Sequence, residues 1–359
     1  MEIVILGFIT SFVIVLFATP SLIKVAKLKH LVDEPSEERK LHSHSIPTIG
    51  GIIIFAAAIF AYALWFPTSD LNTGGGASSI MESFDHFKYL IASLLILFFV
   101  GVKDDIIGTA PIKKLAAHFM VGFILVVMAE IKITSMQGIF GVYNLPDWTS
   151  IALSMFVYIV IVNGLNLIDG IDGLAAGIGL ISALLFGTWF YLAKDVPLAL
   201  LSACLVGALL GFLVFNFSPA RLFMGDSGSM IIGAIISVLA IQFIEHDTSN
   251  MPKVLQELHV PLLAMSILSY PLVDTLRVFF IRAVRGSSPF SADRNHIHHR
   301  LIRLGYSHRR TVTTLYTLNI VVVLVMFLLK DLKPTLAFFV LLVCAFAIYL
   351  SPYLLKAKE

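Results

Sequence analysis

The chain has 359 residues, of which 58% are hydrophobic and 13% charged, and its 25 Lys plus Arg against 23 Asp plus Glu leave a formal net charge of +2. A soluble domain carries about 25% charged residues, so a chain with about half that share lacks the hydrated groups to cover a water-exposed surface. The near-neutral balance gives no field for gripping nucleic acid, and two cysteines in apolar runs, Cys204 and Cys344, exclude a disulfide scaffold and a cysteine-built metal site.

Composition therefore predicts an all-α, polytopic integral membrane protein. A crossing helix needs about 20 mostly apolar residues, and such segments lie near 3–23, 47–66, 87–103, 114–131, 149–165, 173–193, 197–216, 229–245, 258–281, 311–329 and 332–355. That makes about eleven spans, with the last two separated by Lys330, Asp331, Lys333 and Pro334. Glu2 rather than a basic stretch precedes the first run, and no small-residue cleavage site follows it, so it reads as a retained span. Pro271 and Pro289 are placed to bend or end the ninth helix.

Loop charges set the orientation. With the first loop inside, the other side holds only Lys88, Lys132, Lys194, Lys253, Lys330 and Lys333, leaving 19 of the 25 basic residues inside. This predicts an N-terminus outside and a cytoplasmic C-terminus. Ionisable groups gather at the inner ends rather than at mid-membrane, and no paired broken spans stand out, which argues against a transporter. The whole chain, 1–359, reads as one transmembrane domain with its dense polar loops on the inner face at 24–46, 104–113, 166–172, 217–228 and 282–310.

Five inner segments carry the chemistry. The first brings Asp33, Arg39, Lys40 and His42 ahead of a Pro-x-x-Gly-Gly entry into the second span; a plain basic loop is the competing reading. In the second, Asp104 and Asp105 end the third span and Lys114 opens the fourth. Adjacent carboxylates at a membrane face are costly unless solvated, paired or holding a cation. In the third, Asn163, Asn166, Asp169 and Asp172 recur every third residue, which puts them on roughly one face if this end is helical or 3₁₀. In the fourth, Asp226 sits between Gly225 and Ser227 where the eighth span begins. Free backbone N–H groups there favour a phosphate, while the carboxylate suits a helix cap or Mg²⁺. The fifth clusters His296, His298 and His299 among Arg282, Arg285, Arg294, Arg300 and Arg303. So much positive charge favours an anion over zinc, the competing reading being an amphipathic helix on anionic lipid. Carboxylates suited to a hard metal and basic groups suited to phosphates together predict Mg²⁺-dependent phosphoryl chemistry on a lipid.

In this order, over roughly residues 1–330, the five motifs resemble the polyprenyl-phosphate N-acetylhexosamine-1-phosphate transferases, a superfamily that includes the phospho-MurNAc-pentapeptide transferase. The acidic pair falls on Asp104 and Asp105, and the NxxNxxDGxDG block on Asn163, Asn166, Asp169, Gly170, Asp172 and Gly173. GDxG falls on Gly225, Asp226 and Gly228, and the histidine motif on His296, His298 and His299. The resemblance implies catalytic roles for Asp104, Asp105, Asp169, Asp226 and His296, with Asp226, Asp105 and Asp169 at the metal. It implies substrate binding by Asp33, Arg39, Lys40, His42, Lys114, Asn163, Asn166, Asp172, Arg282, Arg285, His298 and His299, with Asp172 at the uracil or ribose and the two arginines at the sugar. It further implies Mg²⁺ as cofactor with Mn²⁺ able to substitute, undecaprenyl phosphate and a UDP-N-acetylhexosamine as substrates among membrane lipids, a homodimer, and a bacterial inner-membrane site facing the cytoplasm. Ile297 interrupts the histidines where the pentapeptide-sugar enzymes look like three in a row, so the chain is similar to the UDP-GlcNAc branch, whose products begin polymers such as O-antigen or teichoic acid. The pentapeptide-sugar transferase is the alternative. Direct attack and an aspartyl intermediate both remain open mechanisms.

Overall fold

The computed structural model describes residues 1–33, 46–67, 77–249, 251–284, 286 and 296–354, the side chains of 77–83 excepted. A helix stands at each position where the sequence predicts a span. In chain order these are α1 (Glu2–Leu28), α2 (Gly50–Leu64), α3 (Ala77–Ile107), α4 (Pro111–Phe123, widening into a π turn at Ile124–Met128), α5 (Asp147–Leu167), α6 (Leu174–Ala193), α7 (Val196–Asn216) and α8 (Gly225–Glu245). There follow the short α9 (Lys253–Gln256), then α10 (Val260–Ile267), α11 (Ser269–Val284), the short α12 (Ile297–Arg303), α13 (His308–Leu328) and α14 (Pro334–Leu354). Among the described residues eight helices are long and apolar enough to cross a membrane, or up to nine if the bent α10–α11 pair is one span. A 21-residue helix such as α8 is about 30 Å long, the thickness of the hydrocarbon core. The chain is an all-α polytopic membrane protein. A feature the helical reading did not foresee is a two-residue antiparallel pair, β1 (Val32–Asp33) with β2 (Ile46–Pro47), in which Asp33 faces Ile46.

The helix α8 lies at the centre. Of its apolar stretch 94% is buried, against 28% for α1 and 22% for α14, so α8 is enclosed by protein while α1 and α14 face outward. Helices α2, α3, α5 and α6 pack around it. A helix apolar on every side needs such an enclosure, and small residues let neighbours come close enough to provide it. A Cβ on Gly51 of α2 would collide with the backbone of Gly228 in α8. Farther out, α7 meets α1 where Gly207 lies against Ser11 and the backbone of Phe8.

The ninth span is broken rather than gently bent. Helices α10 and α11 meet at 74°, and the break falls at Leu268, ahead of Pro271. Proline has no N–H, so Pro271 cannot donate to the carbonyl four residues back, that of Ile267. Asn319 of α13 supplies the missing donor, its Nδ2 lying 3.0 Å from the Ile267 oxygen. Asn319 Oδ1 in turn accepts from the Tyr270 N–H, the Ser269 hydroxyl and the Tyr349 hydroxyl at 3.1–3.2 Å. One buried amide thus satisfies backbone that hydrocarbon would leave unpaired. Pro289 lies outside the described residues. Replacing Asn319 with Leu is expected to cost about 1–2 kcal/mol, read as a lower thermal midpoint of the detergent-solubilised protein.

Candidate active site

The site is built where one end of α8 meets the ends of α2, α3, α4 and α5. Gly225 opens α8 at φ +72°, a backbone conformation that side-chain-bearing residues rarely adopt, and a Cβ there would also strike the Thr48 carbonyl and the Asp105 carboxylate. The first N–H groups of a helix have no partner within it. Asp105, from the end of α3, accepts the Asp226 N–H at 2.7 Å on Oδ1 and the Ser227 N–H at 3.1 Å and hydroxyl at 2.6 Å on Oδ2. The preceding loop is fastened to α2: the Phe223 N–H donates to the Pro47 carbonyl, and the Gly50 and Gly51 N–H groups donate to the Phe223 and Met224 carbonyls, all at 2.8–2.9 Å.

Held by this cap, Asp226 meets groups from three other helices. Lys114, on the first turns of α4, pairs with Asp226 Oδ2 and with Asp104 Oδ2 at 2.6 Å. Asn166 of α5 donates to Asp226 Oδ1 at 3.1 Å and to the Ser229 hydroxyl at 2.8 Å. Asp169, in the turn after α5, is pushed well above the usual carboxylate range by burial and by the charges of Asp226, Asp105 and Asp172. Lys114 is thus the cation shared by Asp104 and Asp226, in a corner to which Asp105 and Asp169 add two more carboxyls.

The spacing of three does not produce one polar face. Helix α5 ends at Leu167, so its last polar groups diverge. Asn163 turns its amide back onto the Ile159 carbonyl of its own helix. Asp172 accepts the Ala220 N–H at 3.0 Å and lies 3.9 Å from His308 Nδ1 of α13. Burial raises the Asp172 carboxyl, but His308, the Ala220 N–H and Ser218 together hold it below its ordinary value. Asn216 completes the tie, accepting from the Gly173 N–H and donating to the Leu222 carbonyl.

The histidines close the other side. His298 is 1% exposed, its ring lies over Gly170, and neither ring nitrogen has a hydrogen-bond partner among the described residues. Burial, with the positive charges of His299, His296 and His308, drives His298 well below the ordinary imidazole range, so it is neutral. His296 stacks on it, ring centres 5.5 Å apart, and His299 lies 4.3 Å from it on the other contact. Arg282 is 3% exposed in the last turn of α11. Asp33 is in β1, beside the strand that fastens the 217–224 loop. Arg39, Lys40, His42 and Arg285 lie outside the described residues.

Sequence reasoning missed three groups here. His118 lies one turn beyond Lys114 on α4, its Nδ1 3.5 Å from the Tyr158 hydroxyl; the i, i+4 spacing was its only local signal. Asp274 and His308 reach the site from helices far away in sequence, and no local pattern announces them. The two functions of the acidic groups separate experimentally. Asp105→Asn turns an amide toward backbone donors and is expected to cost about 1–3 kcal/mol of stability, whereas Asp226→Asn leaves the helix cap intact and Lys114 still paired with Asp104, so the thermal midpoint should fall less.

The sequence profile of glycosyl transferase family 4 matches residues 87–244. The chain is 34% identical over 322 residues to the decaprenyl-phosphate N-acetylglucosaminephosphotransferase of Mycobacterium tuberculosis, covering 86% of this chain and 78% of that protein. It is 28% identical over 349 residues to the probable undecaprenyl-phosphate N-acetylglucosaminyl 1-phosphate transferase of Bacillus subtilis, covering 95% and 88%. It is 27% identical over 297 residues to the undecaprenyl-phosphate alpha-N-acetylglucosaminyl 1-phosphate transferase of Escherichia coli, covering 80% and 73%. By this similarity the chain belongs to glycosyl transferase family 4, among the polyprenyl-phosphate N-acetylglucosaminephosphotransferases.

Proposed function

We propose that the chain transfers N-acetylhexosamine-1-phosphate, and specifically GlcNAc-1-phosphate, from a UDP-sugar to undecaprenyl phosphate, releasing UMP and leaving a lipid-linked diphosphate sugar. The observation that carries this reading is the meeting of Asp104, Asp226 and Lys114 at one point, beside a turn covered by His298. A donor diphosphate and an acceptor phosphate repel each other, and such a site offers both a cation seat and basic groups to offset that charge. The relatives' names support the sugar and the polyprenyl phosphate. The excess of Lys and Arg, 19 of 25, on the side of the chain that carries these loops supports a cytoplasmic face in a bacterial inner membrane.

The residues fit Mg²⁺ by the chemistry of their donors. Among the described residues no three His, Cys, Asp or Glu side chains are close enough together to hold a metal unaided. Mg²⁺ needs no such cage, since one or two carboxylates plus substrate phosphates commonly hold it. Asp226 and Asp104, which already share one cation in Lys114, would be its ligands, with Asp169 alongside. When bound, the ion would draw charge off the donor diphosphate.

The chain's own groups do the rest. An oxygen of the acceptor phosphate supplies the electron pair for a new bond to the β-phosphorus; the bond from that phosphorus to the bridging oxygen breaks, and its pair leaves on UMP. Both oxygens of Asp105 are engaged by α8, so we assign it to holding Asp226 in place. Asp104 is then the member of the pair that accepts the acceptor's remaining proton, a modest task because a phosphate monoester gives up its second proton near pH ~6. Lys114 carries its ammonium to the phosphate oxygens.

Purified protein should release UMP from UDP-GlcNAc only with undecaprenyl phosphate and Mg²⁺ present. EDTA should stop turnover, and Mg²⁺ or Mn²⁺ should restore it. Asp226→Asn should lower the rate by about a hundredfold or more. No release across a panel of UDP-sugars from folded protein would contradict the reading. Without acceptor, no labelled sugar phosphate should remain on the protein; a trapped phospho-enzyme would replace direct attack by an aspartyl intermediate.

A further inference from the structure

Asp274 of α11 is fully buried, yet it carries a carboxylate in an apolar helix. Such a group is costly unless its oxygens are satisfied. Its Oδ2 lies 2.9 Å from His296 Nδ1, and its Oδ1 accepts the Ile297 N–H, also at 2.9 Å, where α12 begins. Arg277, one turn along α11, stands 3.8 Å from Oδ1 and donates to the Tyr353 hydroxyl near the end of α14. His296 itself is 6% exposed and stacks within 8° of parallel on His298, the ring that covers Gly170 between Asp169 and Asp172.

An ionised carboxylate only accepts hydrogen bonds, so Asp274 requires the proton on His296 Nδ1. That commits Nδ1 inward, fixes the plane of the ring and leaves Nε2 as the nitrogen available to a ligand. We propose that Asp274 is a positioning residue for the transfer: by keeping one proton on His296 Nδ1 it lets the ring carry a second on Nε2, which that nitrogen donates as a hydrogen bond to a phosphate oxygen of the departing UMP. The inference rests on the transferase reading given above. Charge appears on that oxygen only as the bond to the β-phosphorus breaks, so the interaction acts on turnover rather than on ground-state binding.

Asp274→Asn separates this role from simple anchoring of α12. Its carboxamide oxygen still caps the Ile297 N–H, but its NH₂ faces His296 Nδ1 as a donor, so the ring can no longer carry protons on both nitrogens and loses the charge it offers the phosphate. In the UMP-release assay with UDP-GlcNAc and undecaprenyl phosphate, kcat is expected to fall about a hundredfold, with the donor KM changing by less than about threefold. In a His296→Gln background the same substitution should cost almost nothing more, because both changes remove one unit. Wild-type kcat in Asp274→Asn, or losses that multiply in the double variant, would overturn the proposal.

A second measurement needs neither a folded Asp274 variant nor activity. Nitrogen NMR of histidine-labelled wild type at pH 8, with His296 assigned by its loss in His296→Gln, should give Nδ1 protonated. A ring protonated on Nε2 alone would overturn the proposal. If wild type releases no UMP, the transferase reading has failed in its own lane, and the nitrogen shifts still decide the pair.

Discussion

The carboxylate of Asp105 on the opening turn of α8 is the contact from which the rest of the site follows. The central helix begins among protein rather than water, so its unpaired N–H groups need an internal acceptor. Asp105 provides three hydrogen bonds to Asp226 and Ser227, and Gly225 turns the chain so that the carboxylate can reach them. The same loop is fastened to the start of α2. Asp226 is then held by its own backbone, while its side chain is left to Lys114 and Asn166. The two neighbours of the acidic pair have accordingly different work: Asp105 organises the helix, and Asp104 faces the shared lysine.

The charge distribution follows from that geometry. Asp104 and Asp226 share Lys114 as counter-ion, with the buried Asp169 carboxyl near Asp226, while a neutral His298 covers the Gly170 turn. Asp172, which might have joined the acidic side by its spacing, is drawn off to Ala220 and His308 and ties the 217–224 loop to α13. A reaction between two phosphates needs acidic and basic groups within reach, one set to seat a cation and the other to hold oxygens.

The helices were legible because hydrocarbon thickness dictates their length, and a run of about 20 apolar residues has few other fates. The polar loops were legible because ionisable groups are rare enough in this composition to stand out. What the sequence concealed was direction. Adjacent residues on a helix point about 100° apart, so nothing local says which of Asp104 and Asp105 turns to α8. The period of three at Asn163, Asn166, Asp169 and Asp172 held only as far as Leu167, where the helix stops. Pro271 marks the ninth span for a bend, but the donor that satisfies the freed Ile267 carbonyl is Asn319, a residue of α13. Asp274 and His118 lie in stretches that read as ordinary span, and their partners come from other helices.

The central claim is that this corner moves a phosphorylated sugar, not a bare sugar, onto a lipid phosphate. The most direct test gives the protein UDP-GlcNAc labelled with ³²P on the β-phosphate and ¹⁴C in the sugar, together with undecaprenyl phosphate and Mg²⁺, and separates lipid from water-soluble products. The account predicts both labels in the lipid fraction in equal amounts, with unlabelled UMP in the water. Carbon label in the lipid without phosphorus would mean glycosyl transfer with loss of UDP, and both labels left in water as sugar phosphate would mean hydrolysis; either would contradict it.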